Sequence, residues 1–518
     1  MTLKFHNTLT GNTDDFVSLE PNKVSLYTCG PTVYDYLHVG NWAAYIYWDI
    51  LVRVLAANDY AVDRVMNITD VGHLVSDADE GEDKLEKGAK REGKTAWEVA
   101  DFYGQDFIKN SDRLGLVTPQ HTAKATDFIP QQLELVRTLK VKGFTYQIDD
   151  GIYFDTSKFP TYADFAHLNL EALQAGARVE FNPQKRNHSD FALWKFTPFG
   201  EKRDMEWETP DDLLEQRVAA GGATPTFNVG EDNIKEGVNQ STGPSNAEQG
   251  VKGFPGWHLE CSAMAMSLLG ETLDIHTGGI DHIPVHHTNE IAQSEAATDK
   301  RFSHYWLHNN HLKVDGTKIS KSLGNGYTLD DLEKKGFTPQ DYRMFVLQSH
   351  YRTEGNFTFD NLTAAKNRLH NWRNSAALRH QIHNTLHDDD NRGVDDNKSI
   401  SLYATSQALV EALNNDLGTP EALMIIDEAF SRLANVQLES IHRHALVELL
   451  ETIDETLGLQ LIAHSPDISD DTKRLIIQRA QARNNQDWSQ SDILRNELLT
   501  QGIVIRDTLS GSVWEYVN

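Results

Sequence analysis

The chain has 518 residues, of which 39% are hydrophobic and 24% are charged, and its formal net charge is −28. The length predicts three or four domains with a large buried core, and the composition excludes disordered and fibrous proteins. The sequence contains no run of about 18 apolar residues that would predict a membrane span. The net negative charge argues against binding nucleic acid over the whole surface. It is compatible with a local strip of Lys and Arg that contacts phosphate.

The chain has two cysteines, Cys29 and Cys261. The scarcity of cysteine and the lack of a secretory-signal-like apolar stretch in the N-terminal segment together predict a reducing, cytoplasmic location. Each cysteine lies in a run of chemically unusual residues, which favours a role as metal ligand. The alternative is two unrelated buried thiols, because free cysteine is among the residue types most often buried.

The chain opens with the pattern of a strand, a loop, a helix and a second strand. Residues 24–29 indicate the first strand, a loop rich in turn formers follows, residues 41–58 indicate an apolar helix, and residues 60–70 the second strand. Such a βαβ unit predicts a parallel sheet of the nucleotide-binding kind. The sheet resumes at 272–279 and again within 305–322, so we expect a split Rossmann-like catalytic domain.

The rest of the chain divides into segments of different character. Residues 210–250 are polar and rich in Gly, Asn and Thr, which predicts an exposed, mobile insertion. From about residue 360 apolar residues recur at helical spacing, with a hydrophilic loop expected at 385–399. The last unit, 471–518, is expected to start with a helix and to end in a β-hairpin that turns at Ser510 and Gly511.

The predicted fold class is therefore α/β, with a split parallel-sheet domain followed by a helical bundle and a small α+β unit. The patterns described above divide the chain into seven expected parts. They are the first half of the catalytic domain (1–115), an inserted connective subdomain (116–209), the polar insertion (210–250), the second half of the catalytic domain (251–300), the region of the KISKS loop (301–360), the helical bundle (361–470) and the C-terminal unit (471–518).

A candidate metal site is built around two residues four positions apart, His286 and Glu290. In a helix this spacing places both side chains on one face. A His and a Glu so placed can share a zinc ion, and the thiolates of Cys29 and Cys261 complete four ligands. His287 is a competing ligand. A helical surface pair of His286 and Glu290 is the alternative without metal.

A candidate phosphate site follows the first strand, in the tetrapeptide HVGN at 38–41. A helix that begins near Gly40 offers free N–H groups to phosphate, and glycine lets a nucleotide approach the backbone closely. His38 can donate a hydrogen bond to a phosphoryl oxygen. The tetrapeptide alone is weak evidence for a phosphate site, because a histidine beside a turn more often has a structural role.

Two further segments suit a nucleotide. The loop KISKS at 318–322 carries two lysines, which suit the charge that develops on pyrophosphate as it leaves; an exposed basic loop is the alternative. Asp281 in GGID follows a strand end and is placed either to hold a ribose hydroxyl or to cap the next turn. In this order, at opposite ends of a split sheet, HVGN and KISKS together are a strong signal.

Taken together, the motifs resemble the cysteinyl-tRNA synthetases, a family of class I aminoacyl-tRNA synthetases. The resemblance rests on CGPTVYDYLHVGN, NITDV, SDFALWK, GWHLECSAM, GGID, HHTNEIAQSE and KISKSLGN, and the run 479–514 is similar to the family's anticodon-binding tail. It implies activation of L-cysteine by ATP, with Mg²⁺, to cysteinyl-adenylate. It further implies transfer to cysteine tRNA by a monomer that contains one zinc ion.

The resemblance also implies roles for individual residues. It places zinc at the four residues of the candidate metal site, assigns ATP to His38 and Lys321, and lines the cysteine pocket with Thr69 and Trp257. Catalysis would further involve Asn41 and Lys318. ATP contacts would include Gly40 and Asp281.

The sequence departs from the family pattern at three places. Asn41 stands where the HIGH-type motif has His, although Asn can still donate to phosphate. Gly72 and His73 stand where an acidic pair and a Lys are expected, and we assign them no role. Ile319 replaces the Met of the KMSKS-type loop.

Two alternative functions are compatible with parts of the sequence. One is a cysteine:amino-sugar ligase of the mycothiol pathway, but residues 360–518 count against it because that reaction needs no tRNA-binding tail. The other is a non-catalytic, synthetase-like zinc protein that binds RNA. The intact HVGN and KISKS loops count against it, because a protein without catalysis needs neither.

Overall fold

The computed structural model describes most of the chain. The described residues are 2–72, 83–168, 182–198, 200–215, 250–320, 323–381, 396–435, 438, 441–508 and 511–517. Among the helices in these ranges, none combines the length and the apolar character that crossing a membrane requires.

Strands and helices alternate in the first two thirds of the chain, and helices dominate the last third. The strands are β1 (Lys4–Asn7), β2 (Asn12–Asp15), β3 (Lys23–Thr28), β4 (Ala61–Ile68), β5 (His121–Lys124), β6 (Thr145–Ile148), β7 (Gly151–Phe154), β8 (Phe191–Phe196), β9 (Trp207–Glu208), β10 (Lys252–Pro255), β11 (Leu273–Gly279), β12 (Ser303–Asn309), β13 (Leu312–Val314), β14 (Gly355–Phe357), β15 (Ile503–Thr508) and β16 (Gly511–Tyr516). The helices are α1 (Val39–Ala57), α2 (Lys84–Glu92), α3 (Ala96–Leu114), α4 (Ile129–Val141), α5 (Trp257–Leu269), α6 (Thr288–Thr298), α7 (Leu329–Lys334), α8 (Pro339–Leu347), α9 (Phe359–Ala377), α10 (Asp396–Asn414), α11 (Thr419–Leu433), α12 (Arg443–Leu457), α13 (Asp470–Asn484) and α14 (Trp488–Thr500).

The centre of the molecule is a parallel sheet with the strand order β12–β11–β3–β4–β5. The chain runs from β3 to β4 and β5 on one side and later from β11 to β12 on the other, so the order reverses between β3 and β11. This arrangement confirms the α/β fold class and the split Rossmann-like sheet. Open sheets of this kind bind ligands outside the carboxyl ends of their strands, at the point of reversal.

The sheet extends beyond the segment boundaries expected from the sequence. β5 pairs with β4 although it lies after residue 115, and β12 pairs with β11 although it lies after residue 300. β5 buries one of its four residues, Ala123. An edge strand this short and polar carries almost no apolar pattern, which is why its membership in the sheet could not be predicted.

Helix α1 connects the sheet to the helical part of the chain. Thirteen of its 19 residues are buried, and it packs between the sheet and the helices α8 and α12. Asp49 in its middle forms a buried ion pair with Arg343 of α8 and a second pair with Arg53, at 2.7 Å. Burial opposes ionisation, yet the two arginines keep the pKa of Asp49 below its ordinary value. The middle of α1 is therefore tied to α8 by a buried ion pair.

The inserted subdomain contains its own antiparallel sheet, in the order β6–β7–β8–β10–β9. Phe154, Phe191 and Trp194 form its core together with apolar residues of α4, and the same cluster includes Leu259 of α5 and Ala292 of α6. The subdomain thus packs against the two helices that follow it in the chain. Of the polar insertion at 210–250, residues 216–249 lie outside the described residues.

The helical region contains α9 to α12, including α11, which the sequence analysis did not single out. The loop expected at 385–399 ends earlier than predicted, because α10 begins at Asp396; residues 382–395 lie outside the described residues.

The C-terminal unit has two helices, α13 and α14, and the predicted hairpin of β15 and β16. Ser510, expected at its turn, lies outside the described residues, and Gly511 begins β16.

Candidate active site

Cys29 lies at the point where the strand order reverses. It follows the last residue of β3, and its backbone N–H donates to the carbonyl of Thr277 in β11, at 3.3 Å. The next residue, Gly30, donates its N–H to the side chain of Asn67 at the end of β4, at 2.7 Å. A Cβ on Gly30 would overlap the Asn67 carbonyl oxygen, so only glycine fits here. The loop after β3 is thereby held against both neighbouring strands.

The structure brings the four predicted metal ligands together. Cys261 is in the first turns of α5, His286 is in a π-helical turn at Ile283–His287, and Glu290 is in the first turn of α6. Their ligand atoms and the Cys29 thiol all lie within 4.8 Å of one another. Cys261, His286 and Glu290 are buried, and Cys29 is partly buried.

Two further histidines hold the ligands His286 and Glu290 from behind. His258 and His286 share a hydrogen bond between their Nδ1 atoms, at 3.0 Å, which leaves Nε2 of His286 to face Glu290. His276 Nε2 lies 2.9 Å from Glu290 Oε2. The other carboxylate oxygen, Oε1, lies 2.9 Å from Nε2 of His286 but is buried without a hydrogen bond.

The electrostatics of the cluster favour the ionised forms of Glu290 and Cys29 but not that of Cys261. Burial opposes ionisation of Glu290, but the charges of His276 and His286 lower its pKa to about 2. The hydrogen bond from Cys261 lowers the pKa of the Cys29 thiol well below its ordinary value, and contacts with neighbouring histidines act in the same direction. The same contact and burial raise the pKa of Cys261.

A second set of potential ligands overlaps the first. Cys29, His276, His287 and Glu290 also offer ligand atoms within 4.8 Å of one another. His287 Nε2 lies 3.5 Å from the Cys29 sulfur, while its Nδ1 bonds to Nε2 of His308, at 2.7 Å. The competition between His286 and His287 that the sequence left open therefore persists as two adjacent donor sets. His276 was missed because it lies inside a strand; a polar residue in the buried run LDIHTGG was its only signal.

The two residues expected to line the cysteine pocket lie beside this cluster or near it. Trp257 begins α5, and its ring centre is 4.4 Å from that of His286. Thr69 follows β4 and is buried; its hydroxyl accepts a hydrogen bond from the Asn67 amide, at 3.0 Å. Its backbone bonds to Pro31 and Val33, in the loop that follows Cys29.

His38 and Asn41 form the N-terminal cap of α1. The Asn41 backbone N–H donates to Nδ1 of the His38 ring, at 3.3 Å, and the His38 N–H donates to the Asn41 side-chain oxygen, at 3.2 Å. This reciprocal arrangement is a capping box. Because Nδ1 accepts, the ring proton of neutral His38 is on Nε2. The capping box uses the side-chain oxygen of Asn41 but not its side-chain NH₂ group.

The KISKS loop packs directly onto HVGN. The Cδ1 atom of Ile319 lies 2.8 Å from where a Cβ of Gly40 would be, so the glycine makes room for the loop as well as for a ligand. Val39 donates its N–H to the carbonyl of Tyr327, at 2.8 Å. Lys318 is exposed, and Lys321 lies outside the described residues. The structure thus places HVGN and KISKS, each of which is weak evidence for a nucleotide site by itself, in direct contact.

Asp281 is exposed in a short 3₁₀ turn directly after β11. Its carboxylate folds back over Gly279, since Oδ1 occupies the space that a Cβ on that glycine would need. It therefore remains at the carboxyl end of the sheet, where a ribose would be expected. Its role as a ribose ligand stays a prediction.

The sequence matches two families along its length. Residues 15–212 and 240–367 match the family described as tRNA synthetases class I (C) catalytic domain, and residues 465–514 match the cysteinyl-tRNA ligase anticodon binding domain. The chain belongs to the cysteinyl-tRNA synthetase family. It is 36% identical to the cysteine–tRNA ligase of Treponema denticola, covering 99% of this chain and 100% of that protein. It is 38% identical to cysteine–tRNA ligase 1 of Burkholderia lata, covering 99% and 96%.

Solved structures of other synthetases share the fold. The methionyl-tRNA synthetase of Mycobacterium tuberculosis in complex with methionyl-adenylate superposes with a TM-score of 0.55 at 14% identity, covering 85% of this chain and 93% of that one. The leucyl-tRNA synthetase agnB2 of Agrobacterium radiobacter K84, in a ternary complex with tRNA, gives 0.54 at 13% identity, covering 88% and 86%. At these identities the likeness concerns the fold alone.

The structure gives a physical context for one departure from the family pattern. Gly72 ends a described range and Asp83 begins the next, yet the two residues are in contact: a Cβ on Gly72 would overlap the Asp83 carboxylate. Asp83 caps α2 and forms a buried ion pair with Arg203. The chain therefore returns to the same point after 73–82, and an Asp-Lys pair at 83–84 follows there in the sequence.

Proposed function

We propose that this chain is an ATP-dependent cysteine–tRNA ligase in which a zinc ion selects the thiolate of the substrate cysteine. The observation that carries the proposal is the convergence of Cys29, Cys261, His286 and Glu290 at the carboxyl end of β3. The loop that starts at Cys29 leads directly to the N-terminal cap of α1, the candidate phosphate site. Selection of the side chain and activation of the carboxylate would therefore take place at two ends of one short loop.

The donor set fits zinc. Two thiolates, one imidazole and one carboxylate are ligands that zinc accepts, and with the metal they carry a net charge of −1. The buried Oε1 atom of Glu290, which has no hydrogen bond, faces the ring nitrogen of His286, and a shared cation would satisfy both atoms. A zinc ion held there supplies a soft acceptor that binds a thiolate far better than a hydroxyl.

The surrounding residues prepare the pocket for cysteine. His258 and His276 orient His286 and Glu290 by hydrogen bonds to the atoms that face away from the common centre. Trp257 covers the ring of His286 and limits the access of water to that side. Thr69 is held by the loop after Cys29, so its position follows that of the first ligand.

The HVGN and KISKS loops serve the activation step. The cysteine carboxylate attacks the α-phosphate of ATP, which carries Mg²⁺, and pyrophosphate leaves. His38 donates from Nε2, Asn41 from its amide, and Lys318 and Lys321 place positive charge where negative charge develops. Gly40 and Asp281 contribute space and a ribose contact. A hydroxyl of the terminal ribose of tRNA then attacks the carbonyl carbon of the cysteinyl-adenylate, so that an ester bond forms and AMP leaves.

The C-terminal unit binds the anticodon of cysteine tRNA. Trp488 is 59% exposed at the start of α14, with the Arg483 guanidinium 5.9 Å from its ring centre, a pairing that suits stacking on a base, whereas Trp514 is buried in the core of the unit. A tail of this kind favours tRNA as acceptor over an amino sugar. The monomeric state and the cytoplasmic location expected from the sequence stay predictions.

The test uses the full chain in two assays. We expect ATP–pyrophosphate exchange that depends on cysteine, and cysteinylation of cysteine tRNA but not of a tRNA with another anticodon. Cysteine-dependent exchange without attachment to any tRNA would favour a different acceptor. No cysteine-dependent exchange at all would contradict an enzymatic function.

A further inference from the structure

The KISKS loop begins on a rigid base. Val314 and Thr317 pair through two backbone hydrogen bonds of 2.9 Å, and the residues between them, Asp315 and Gly316, both have positive φ, at 48° and 72°. This is the two-residue turn that matches the twist of flanking strands. Asp315 donates its N–H to the Phe357 carbonyl, at 3.0 Å, which ties the turn to β14.

Beyond this base, one side chain bonds to three residues of the loop. The Asn325 oxygen accepts the N–H of Ser320, at 2.9 Å. Its amide nitrogen lies 3.2 Å from the carbonyl of Lys318 and 3.3 Å from the hydroxyl of Thr317. One residue outside the KISKS pentapeptide thus bonds to positions on both sides of Ile319.

The loop shape that Asn325 stabilises is the one that contacts the phosphate site. Ile319 fills the space above Gly40, as described above, and lies 3.6 Å from the Cβ position of Gly326. His38 lies 3.7 Å from that same position. The residue before Ile319, Lys318, is therefore placed relative to HVGN by the backbone that Asn325 holds.

We propose that Asn325 is a positioning residue for the activation step: it holds the backbone at 318–320 in the shape in which Lys318 meets the departing pyrophosphate. The proposal rests on the proposed function. A lysine on a free loop would pay an entropic cost each time it met the phosphate. Displacements of about 1 Å in such a constellation cost about 10²-fold in rate.

The test compares Asn325→Ala with Asn325→Asp and with the control Asn435→Ala, an exposed asparagine on the helical region. Asn325→Asp keeps the acceptor for the Ser320 N–H but cannot donate to the Lys318 carbonyl. We expect kcat for cysteine-dependent exchange to fall about 10²-fold in both Asn325 variants, with KM for cysteine within about threefold of the wild type. The control variant should match the wild type.

A second measurement separates positioning from general damage. Transfer of cysteine from preformed cysteinyl-adenylate to tRNA releases no pyrophosphate, so we expect Asn325→Ala to keep this rate within about threefold of the wild type, because a positioning loss is confined to the first step. An Asn325→Ala variant whose exchange kcat stays within about twofold of the wild type would overturn the positioning role alone. Equal losses in exchange and transfer would also overturn it, as a purely structural effect. A wild-type chain without cysteine-dependent exchange would overturn the proposed function together with this role.

Discussion

The candidate zinc ligands and the KISKS loop lie at two ends of one site, and the fold holds them in opposite ways. The ligands come from a strand end and two helices, are largely buried, and are backed by His258 and His276. Of the described residues of the loop, Lys318 is exposed, whereas Ile319 and Ser320 are half-buried. Ile319 packs on Gly40, and Asn325 bonds to the loop backbone. The first region is fixed by buried contacts among its own side chains, whereas the described part of the second is held by a few contacts nearer the surface.

This difference matches the tasks that we assign to the two regions. Telling a thiol from a hydroxyl of similar size requires a fixed, dry environment, because shape alone discriminates weakly. Stabilising pyrophosphate requires charge that is strongest as the bond breaks and that then releases the product. The comparison predicts that damage to the buried cluster changes selectivity and metal content, and that damage to the loop changes rate.

The largest expected effect concerns selectivity. His286→Ala removes one ligand, and we expect the chain to lose its zinc and the preference for cysteine over serine to fall from about 10⁴-fold or more to about 10²-fold. Relative kcat/KM in pyrophosphate exchange, with metal content by mass spectrometry, measures both. His444→Ala, in α12 far from the cluster, is the matched control. A His286→Ala chain that keeps one zinc and full preference contradicts the ligand assignment.

The next effect concerns rate. Lys318→Ala removes a charge that acts on the leaving pyrophosphate, so we expect kcat for exchange to fall about 10²-fold with unchanged zinc content. Lys313→Ala is the control, since Lys313 lies on β13 at the base of the same loop and pairs with Glu354 at 2.7 Å. Equal losses in the two variants would mean that net charge matters and not the position of Lys318.

A smaller effect separates orientation from ligation. His276→Asn removes the partner of Glu290 Oε2, and we expect zinc affinity to fall about 10- to 100-fold without loss of the ability to bind the metal. Competition with a chelator of known affinity measures the change. Complete loss of zinc would instead indicate that His276 belongs to the ligand set, as in the second cluster that includes His287.

The smallest effect tests the contact between the two nucleotide motifs. A Cβ at Gly40 would lie 2.8 Å from Ile319 Cδ1, so Gly40→Ala should displace the loop and lower kcat for exchange about tenfold, equivalent to about 1.4 kcal/mol. Ile319→Val removes Cδ1, and in the double variant most of the rate should return, as a double-mutant cycle reveals. No recovery would mean that the methyl group added at Gly40 acts not on the loop but on the nucleotide or on the His38 ring, whose Cε1 atom lies 3.1 Å from the Cβ position.

The sequence predicted much of this site because its signals are local. The spacing of His286 and Glu290 on a helical segment and the strand before Cys29 predicted three members of the cluster, and the structure places them together with Cys261. Their role as metal ligands stays a prediction. The same holds for HVGN at the start of α1, where the cap is formed by His38 and Asn41. Each of these expectations depends on residues within a few positions of one another.

What the sequence did not predict depends on contacts between distant segments. His276 faces Glu290 only because the turns after β11 bring α6 back to that strand, and Asp83 meets Gly72 only because the chain returns after 73–82. β5 joins the sheet as a polar edge strand with one buried residue. Asn325 has no distinguishing pattern of its own, because its function lies in hydrogen bonds to loop backbone atoms that no spacing rule describes.

The central claim is that a zinc ion held by the buried cluster chooses cysteine over serine. The most direct measurement is pyrophosphate exchange with each amino acid, on the purified chain before and after zinc removal and again after zinc is restored. The account predicts one zinc per chain, a preference for cysteine that collapses on removal, and its recovery with the metal. A zinc-free chain that still prefers cysteine by the full factor would contradict the account.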